Sequence, residues 1–166
     1  MKDDCVQVEI LMATYEGAGF LREQLYSLRV QTHSNWRLRV RDDGSRDATP
    51  AILEAFASEE PARVEFETGS SERLGAAGCY SHLMGQSHAD YAMFCDQDDV
   101  WDSDKIEISL AAMRELEARS LPGTPLLVHT DLRVVDASRR LLDDSLWHYQ
   151  NLDPRAARRL TRLLVQ

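Results

Sequence analysis

Only three of the 166 residues are cysteines, at positions 5, 79 and 95, and no two of them form a CxxC pair. An odd, widely spaced set of this kind excludes a disulfide framework and gives no zinc-ligand spacing, so the thiols read as core residues. No apolar run approaches the roughly 18 residues of a membrane span. The start, Met1-Lys2-Asp3-Asp4-Cys5, has neither the basic opening nor the long apolar region of a signal peptide. A cytoplasmic chain is therefore expected, at most peripherally attached to the inner face of a membrane. Cations are also in short supply: 19 Lys and Arg stand against 28 Asp and Glu, a net charge of -9. That balance excludes general affinity for nucleic acid, which needs clustered Lys and Arg, but leaves room for one nucleotide held through a metal.

Several motifs are missing. Gly17-Ala18-Gly19 opens like a dinucleotide fingerprint, but Arg22 stands where its third glycine belongs. There is no GxxxxGK[ST] phosphate loop, no GxSxG nucleophile elbow and no HExxH. The five histidines are scattered and read as surface or capping residues.

What is present is a globular composition, 43% hydrophobic and 28% charged, with regular punctuation. Val6 to Thr14 reads as a strand ending in the loop Tyr15-Glu16-Gly17-Ala18-Gly19, and Phe20 to Gln31 carries apolar residues at helical spacing. Trp36 to Val40 alternates into the turn Asp42-Asp43-Gly44-Ser45. Asp47 or Thr49 can cap the following helix, with Pro50 in its first turn. Arg63 to Glu67 is a short strand, Gly69 to Gly78 a loop entering a helix, and Tyr91 to Cys95 a strand that looks buried. A helix over Asp104 to Ala118, a strand over Leu126 to Val135 and an amphipathic helix over Pro154 to Val165 complete the pattern. Arg155, Arg158, Arg159 and Arg162 would give that last helix a basic side, which reads as an ordinary solvated face ahead of one that leans on anionic lipid. Strands alternating with helices predict an α/β fold, a mainly parallel sheet with helices on both faces. Residues 1–166 contain no evident repeat or linker and read as a single domain.

Ligands of such sheets collect at the carboxyl ends of the strands. Three of those ends are polar: Thr14-Tyr15-Glu16, Asp42-Asp43, and Asp96-Gln97-Asp98-Asp99. In the last, carboxylates a few Å apart repel by roughly 3 kcal/mol per pair at an effective dielectric of about 20. Asp96 and Asp98 can face one way while Gln97 faces the other, and two carboxylates on one side suit a hard cation, Mg2+ or Mn2+. Such ions complete their shell with water and phosphate oxygens, which points to a phosphorylated ligand. Asp102, Ser103 and Asp104 read instead as caps of the next helix. Asp42-Asp43-Gly44-Ser45 is either a tight turn or an acceptor for base or ribose, and Tyr15 either packs half-buried or offers its ring to a base.

The run Ala13-Thr14-Tyr15-Glu16-Gly17, then Gln24, Gln31-Thr32, Asp42 to Thr49, and Asp96-Gln97-Asp98-Asp99-Val100-Trp101 resembles the family 2 inverting glycosyltransferases of the GT-A fold. With Asp104-Lys105-Ile106 and His129-Thr130-Asp131-Leu132 it is most similar to the rhamnosyltransferase-type branch. The resemblance implies a nucleotide-diphospho-sugar transferase fold and inverting transfer of a sugar from a dTDP- or UDP-linked donor to a glycan or lipid-linked acceptor. Carried over by position, it places Ala13, Thr14 and Tyr15 in the base pocket and Asp43 at the base or ribose. Asp98 would ligate the metal, with Asp96 and Gln97 at the ribose or metal-bound water. Asp131 would lie near the sugar. The chain departs from the family at Glu16, Arg73 and Cys79, where Asn is usual, and at Ser103, where Pro is common. Its length suggests the donor-binding part of a longer enzyme, ending before the acceptor region and the general base, so a non-catalytic nucleotide-sugar binder is one alternative. Ala92 to Val100 also fits the hhhhDxDx[TV] pattern of haloacid-dehalogenase phosphatases, but their nucleophile belongs on the first strand.

Overall fold

The computed structural model describes residues 6–67, 73–136 and 138–153. The chain falls into two compact units, Met1–Ala111 and Ala112–Gln166.

The first unit is built on four parallel strands: β1 (Val8–Thr14), β2 (Trp36–Asp42), β3 (Val64–Glu67) and β4 (Tyr91–Cys95), in the spatial order β3-β2-β1-β4. The crossovers are α1 (Leu21–Arg29), α2 (Thr49–Glu59) and α3 (Gly75–Gln86). Moving from β1 to β2 to β3 the chain steps one way along the sheet, and from β3 to β4 it steps back past β1. Right-handed crossovers therefore put α1 and α2 on one face and α3 on the other. Consistent with this, Arg29 of α1 reaches Glu59 of α2 at 2.6 Å, while α3 packs on β1 and β2.

The two faces differ in chemistry because strand side chains alternate. Val8, Ile10 and Met12 of β1, Trp36, Leu38 and Val40 of β2, and Val64 of β3 join Leu21, Leu25, Leu28, Ile52, Leu53 and Phe56 in one buried cluster, which also takes Ile106 and Leu110. The opposite face carries an ionic ladder across the strands: Arg39 Nε lies 3.1 Å from Glu9 Oε1 and its Nη1 2.8 Å from Glu65 Oε2. Tyr91 to Cys95 is a strand as expected, but it is the sheet's edge rather than a buried strand, with Ala92 and Phe94 exposed.

α4 (Lys105–Glu117) leaves this sheet. Its entry is held from the turn just after α1: Gln31 Oε1 accepts the Ile106 N–H at 3.2 Å, and Gln31 Nε2 donates to the Asp102 carbonyl at 2.7 Å. Glu107 accepts the Thr32 hydroxyl instead of closing a box on Asp104. His33, expected as a surface or capping residue, is buried, with Nε2 2.9 Å from the Val6 carbonyl. Cys79 and Cys95 are free and buried, whereas Cys5 lies outside the described residues.

In the second unit the expected strand over Leu126 to Val135 shrinks to β5 (Val134–Val135), paired antiparallel with β6 (Leu141–Asp143). An apolar run becomes a strand only where a neighbour completes its hydrogen bonds, and β6 meets only the last two residues. The short α5 (Leu146–Tyr149) is capped by Ser145. Asp131 Oδ1 accepts the N–H groups of Leu132 and Trp147, so this carboxylate organises its own loop. The helix expected over Pro154 to Val165 lies outside the described residues. No described helix is long and apolar enough to cross a membrane.

Candidate nucleotide-sugar site

Strand order β3-β2-β1-β4 makes the gap between β1 and β4 the point where connections diverge to opposite faces, and an open α/β sheet leaves a crevice there. A cleft of about 560 Å³ lies at these strand ends. Ala13, Thr14, Tyr15, Asp43, Asp96, Gln97 and Asp98, all singled out in the sequence, line it together. Arg73, Cys79 and Tyr80 line it as well; the sequence had marked Arg73 and Cys79 only as departures from the family, and Tyr80 not at all.

The loop after β1 is fixed by the loop after β2. The Glu16 N–H donates to Ser45 Oγ at 2.8 Å, Gly17 N–H to Thr49 Oγ1 at 2.9 Å and Ala18 N–H to Asp47 Oδ2 at 3.0 Å. In return Glu16 Oε1 accepts the Arg46 N–H at 2.7 Å. These contacts hold Glu16 at φ 50°, a left-handed conformation in which Asn is favoured over Glu. Thr14 lines the cleft, but its hydroxyl donates to Asp42. Asp42 also accepts from Gly44, Ser45 N–H and Ser45 Oγ, so it is the turn-former of the pair.

Asp43 is the member that faces the cleft. Its two oxygens accept the N–H groups of Leu74 and Gly75 at 2.8 and 2.9 Å, at the start of α3. Burial opposes its charge, but those two bonds, the Cys79 thiol and the Arg73 charge more than offset it and hold the carboxyl below the usual carboxylate range. The Arg73 guanidinium lies over the Tyr15 ring, 3.8 Å from its centroid.

On the β4 side, Asp96 and Asp98 are exposed and Gln97 is half-buried between them. The Tyr80 hydroxyl donates to Asp96 Oδ1 at 2.7 Å. Gln97 is engaged with the main chain of Tyr15 through both ends of its amide. Asp99 is pushed up, first by burial and then by the charges of Asp96 and Asp98. Among the described residues no group of three or more metal-ligating side chains converges. A cation at this loop would have the exposed carboxylates of Asp96 and Asp98 available, with water and ligand oxygens to complete its shell. An oxygen-only set of that kind is what hard cations such as Mg2+ or Mn2+ take.

The family model for glycosyl transferase family 2 matches residues 9–133, a span holding every residue named in the cleft. The chain belongs to glycosyl transferase family 2. Among curated relatives, the chain is 33% identical over 99 residues to the dTDP-rhamnosyl transferase RfbG of Shigella flexneri, covering 58% of the chain and 34% of RfbG. It is 29% identical over 106 residues to the UDP-Glc:alpha-D-GlcNAc-diphosphoundecaprenol beta-1,3-glucosyltransferase WfgD of Escherichia coli, covering 64% of the chain and 40% of WfgD. The chain thus spans well under half the length of these relatives. Among solved structures, it shares its fold with the mannosyltransferase PcManGT of Pyrobaculum calidifontis, determined with GDP-Man and Mn2+. The TM-score is 0.57 at 21% identity, over 62% of this chain and 31% of that one. The α/β, GT-A type fold expected from the sequence is the fold observed, and the rhamnosyltransferase-type resemblance has a counterpart in RfbG. The phosphatase pattern is a coincidence of composition, since the acid motif follows the fourth strand.

Proposed function

We propose that the cleft binds a nucleotide-diphospho-sugar and that the protein containing this chain transfers the sugar, with inversion, to a glycan or lipid-linked acceptor in polysaccharide synthesis. The observation that supports this most directly is the meeting of Tyr15, Asp43 and the Asp96-Gln97-Asp98 loop in one cleft at the β1/β4 strand ends. In this reading Ala13, Thr14 and Tyr15 form the base pocket, and Asp43 stands at the base or ribose. Asp98 and Asp96 would hold Mg2+ or Mn2+, which when bound neutralises charge on the departing diphosphate. The protein's own share is to orient the donor: Tyr80 aims Asp96, and Asp43 anchors the α3 wall. The relatives name different nucleotides, UDP and dTDP, so the donor is proposed only to the level of a pyrimidine diphosphate sugar. Work on lipid-linked or surface glycans would place the protein in the cytoplasm, at the inner face of the membrane.

Thermal shift tests the reading. UDP or dTDP at about 100 times its Kd should stabilise the protein by about 2.7 kcal/mol, several degrees for a chain of this size. The shift should require Mn2+ or Mg2+, vanish with EDTA, and be largely lost in Asp98→Ala. A shift indifferent to both chelator and substitution would remove the metal from the proposal, and no shift with either nucleotide would remove the nucleotide.

A further inference from the structure

One side chain joins the end of β1 to the acid loop after β4. Parallel pairing between the two strands ends at Met12 and Cys95. Beyond it, the Tyr15 N–H donates to Gln97 Oε1 at 2.9 Å, and Gln97 Nε2 donates to the Tyr15 carbonyl at 3.0 Å. A primary amide presents a donor and an acceptor side by side, as a peptide group does. Gln97 therefore extends the ladder with its side chain where the main chain has turned away. Room for it comes from Gly17, where a Cβ would stand 2.2 Å from Gln97 Oε1 and 2.5 Å from its Cδ. The glycine is needed here for space rather than for its backbone angles. Glu at position 97 would set a carboxylate oxygen against the Tyr15 carbonyl, and Asn would be one methylene short.

The residues on either side of Gln97 are Asp96 and Asp98, and Tyr15 carries the aromatic face of the same cleft. We propose that Gln97 is a positioning residue that fixes the distance between Tyr15 and the Asp96/Asp98 pair, and so sets the span over which one ligand can meet both. This rests on the nucleotide reading above and adds to it: the ligand for which Gln97 matters is one with a base at one end and a metal-bound diphosphate at the other. Holding two half-sites at a fixed separation removes an ordering cost that a spanning ligand would otherwise meet. The empty protein gains little from it, because Tyr15 N–H and C=O, freed from Gln97, are within reach of water on an exposed loop.

The test uses the whole chain, with Gln97→Ala, Gln97→Glu, Gly17→Ala and the Gln97→Ala/Gly17→Ala double variant. Three quantities are read: exchange of the Tyr15 amide proton, the melting temperature without ligand, and the affinity for UDP and dTDP with Mn2+. Gln97→Ala and Gly17→Ala should speed Tyr15 exchange, and each single variant should keep the melting temperature within about 2 °C and weaken nucleotide binding by about tenfold, the usual loss when a supporting residue is removed. The double variant should be no weaker than Gln97→Ala, since both changes act through one contact. Faster exchange with undiminished nucleotide affinity would reduce Gln97 to a structural tie and overturn the proposal while the nucleotide reading stands. Full affinity in Gln97→Glu would also overturn it, because Glu keeps an oxygen for ribose or cation but loses the contact to the Tyr15 carbonyl. A wild-type chain that binds neither nucleotide would sink the reading of the cleft itself, and the positioning role with it.

Discussion

Tyr80 shows how one hydroxyl can set the direction of a carboxylate. Its Oη lies 2.7 Å from Asp96 Oδ1 and 2.9 Å from the Cys95 carbonyl. Burial first, and then the Asp96 carboxylate, push its ionisation far above the ordinary tyrosine value, so it remains a donor over any working pH. A hydrogen bond to a charged group contributes about 1.5 kcal/mol or more. Tyr80→Phe should therefore weaken binding of UDP with Mn2+ by roughly tenfold in calorimetry, and its ring packing on Phe94 should survive. Unchanged affinity would mean that Asp96 needs no aiming. Arg73 bears on the same wall. An exposed cation over an aromatic ring is worth about 0.5–1 kcal/mol, and a stacked base about 1–3 kcal/mol. The guanidinium on Tyr15 would thus yield to a base.

At the scale of elements, the helices are placed by side chains from their neighbours. The start of α3 is anchored by Asp43 from just after β2, and the start of α4 by Gln31 from the turn after α1. Neither tie is local, and α3 begins without a side-chain cap of its own. The α3 anchor is sensitive to acid. Because the folded carboxyl titrates below its ordinary value, the stability it contributes is fully present above the ordinary carboxylate range and is lost as pH falls through the lowered value. Urea melts of wild type and Asp43→Asn should differ by a constant amount between about pH 5 and pH 7, and the gap should close below about pH 4. A gap that persists undiminished into strong acid would show that the carboxylate charge is not what anchors the helix.

Over the whole molecule, the described sheet is stabilised differently on its two faces. The face under α1 and α2 is an apolar core, so Leu38→Ala should cost about 3 kcal/mol. The α3 face holds the ladder Glu9-Arg39-Glu65, and there the outcome depends on which partner remains. Arg39→Met alone strands a buried Glu9 and should destabilise by about 3 kcal/mol, whereas Glu9→Leu with Arg39→Met should recover most of that loss. Denaturant melts of the single and double variants decide it, and a double variant as unstable as Arg39→Met would contradict the account.

Much of this was legible in the sequence because it is local. Strand and helix periods, the turn at Asp42 to Ser45 and the acid cluster at Asp96 to Asp99 are set by residues a few positions apart, and Tyr91 to Cys95 was bounded to the residue. The sequence also brought out Thr14, Tyr15, Asp43, Asp96, Gln97 and Asp98, since polar clusters at successive strand ends of a parallel sheet must share one edge, while Ala13 came only from the resemblance to the family. Only the tertiary structure decided which neighbours those residues meet. Strand order set β4 beside β1, which brought Gln97 against Tyr15 and Gly17, 82 and 80 positions away, and Tyr80 beneath Asp96. The same dependence on partners cut the strand expected over Leu126 to Val135 down to its last two residues. Periodicity reports what a segment could pair with, and only the assembled sheet supplies the donor and acceptor that make the pairing real.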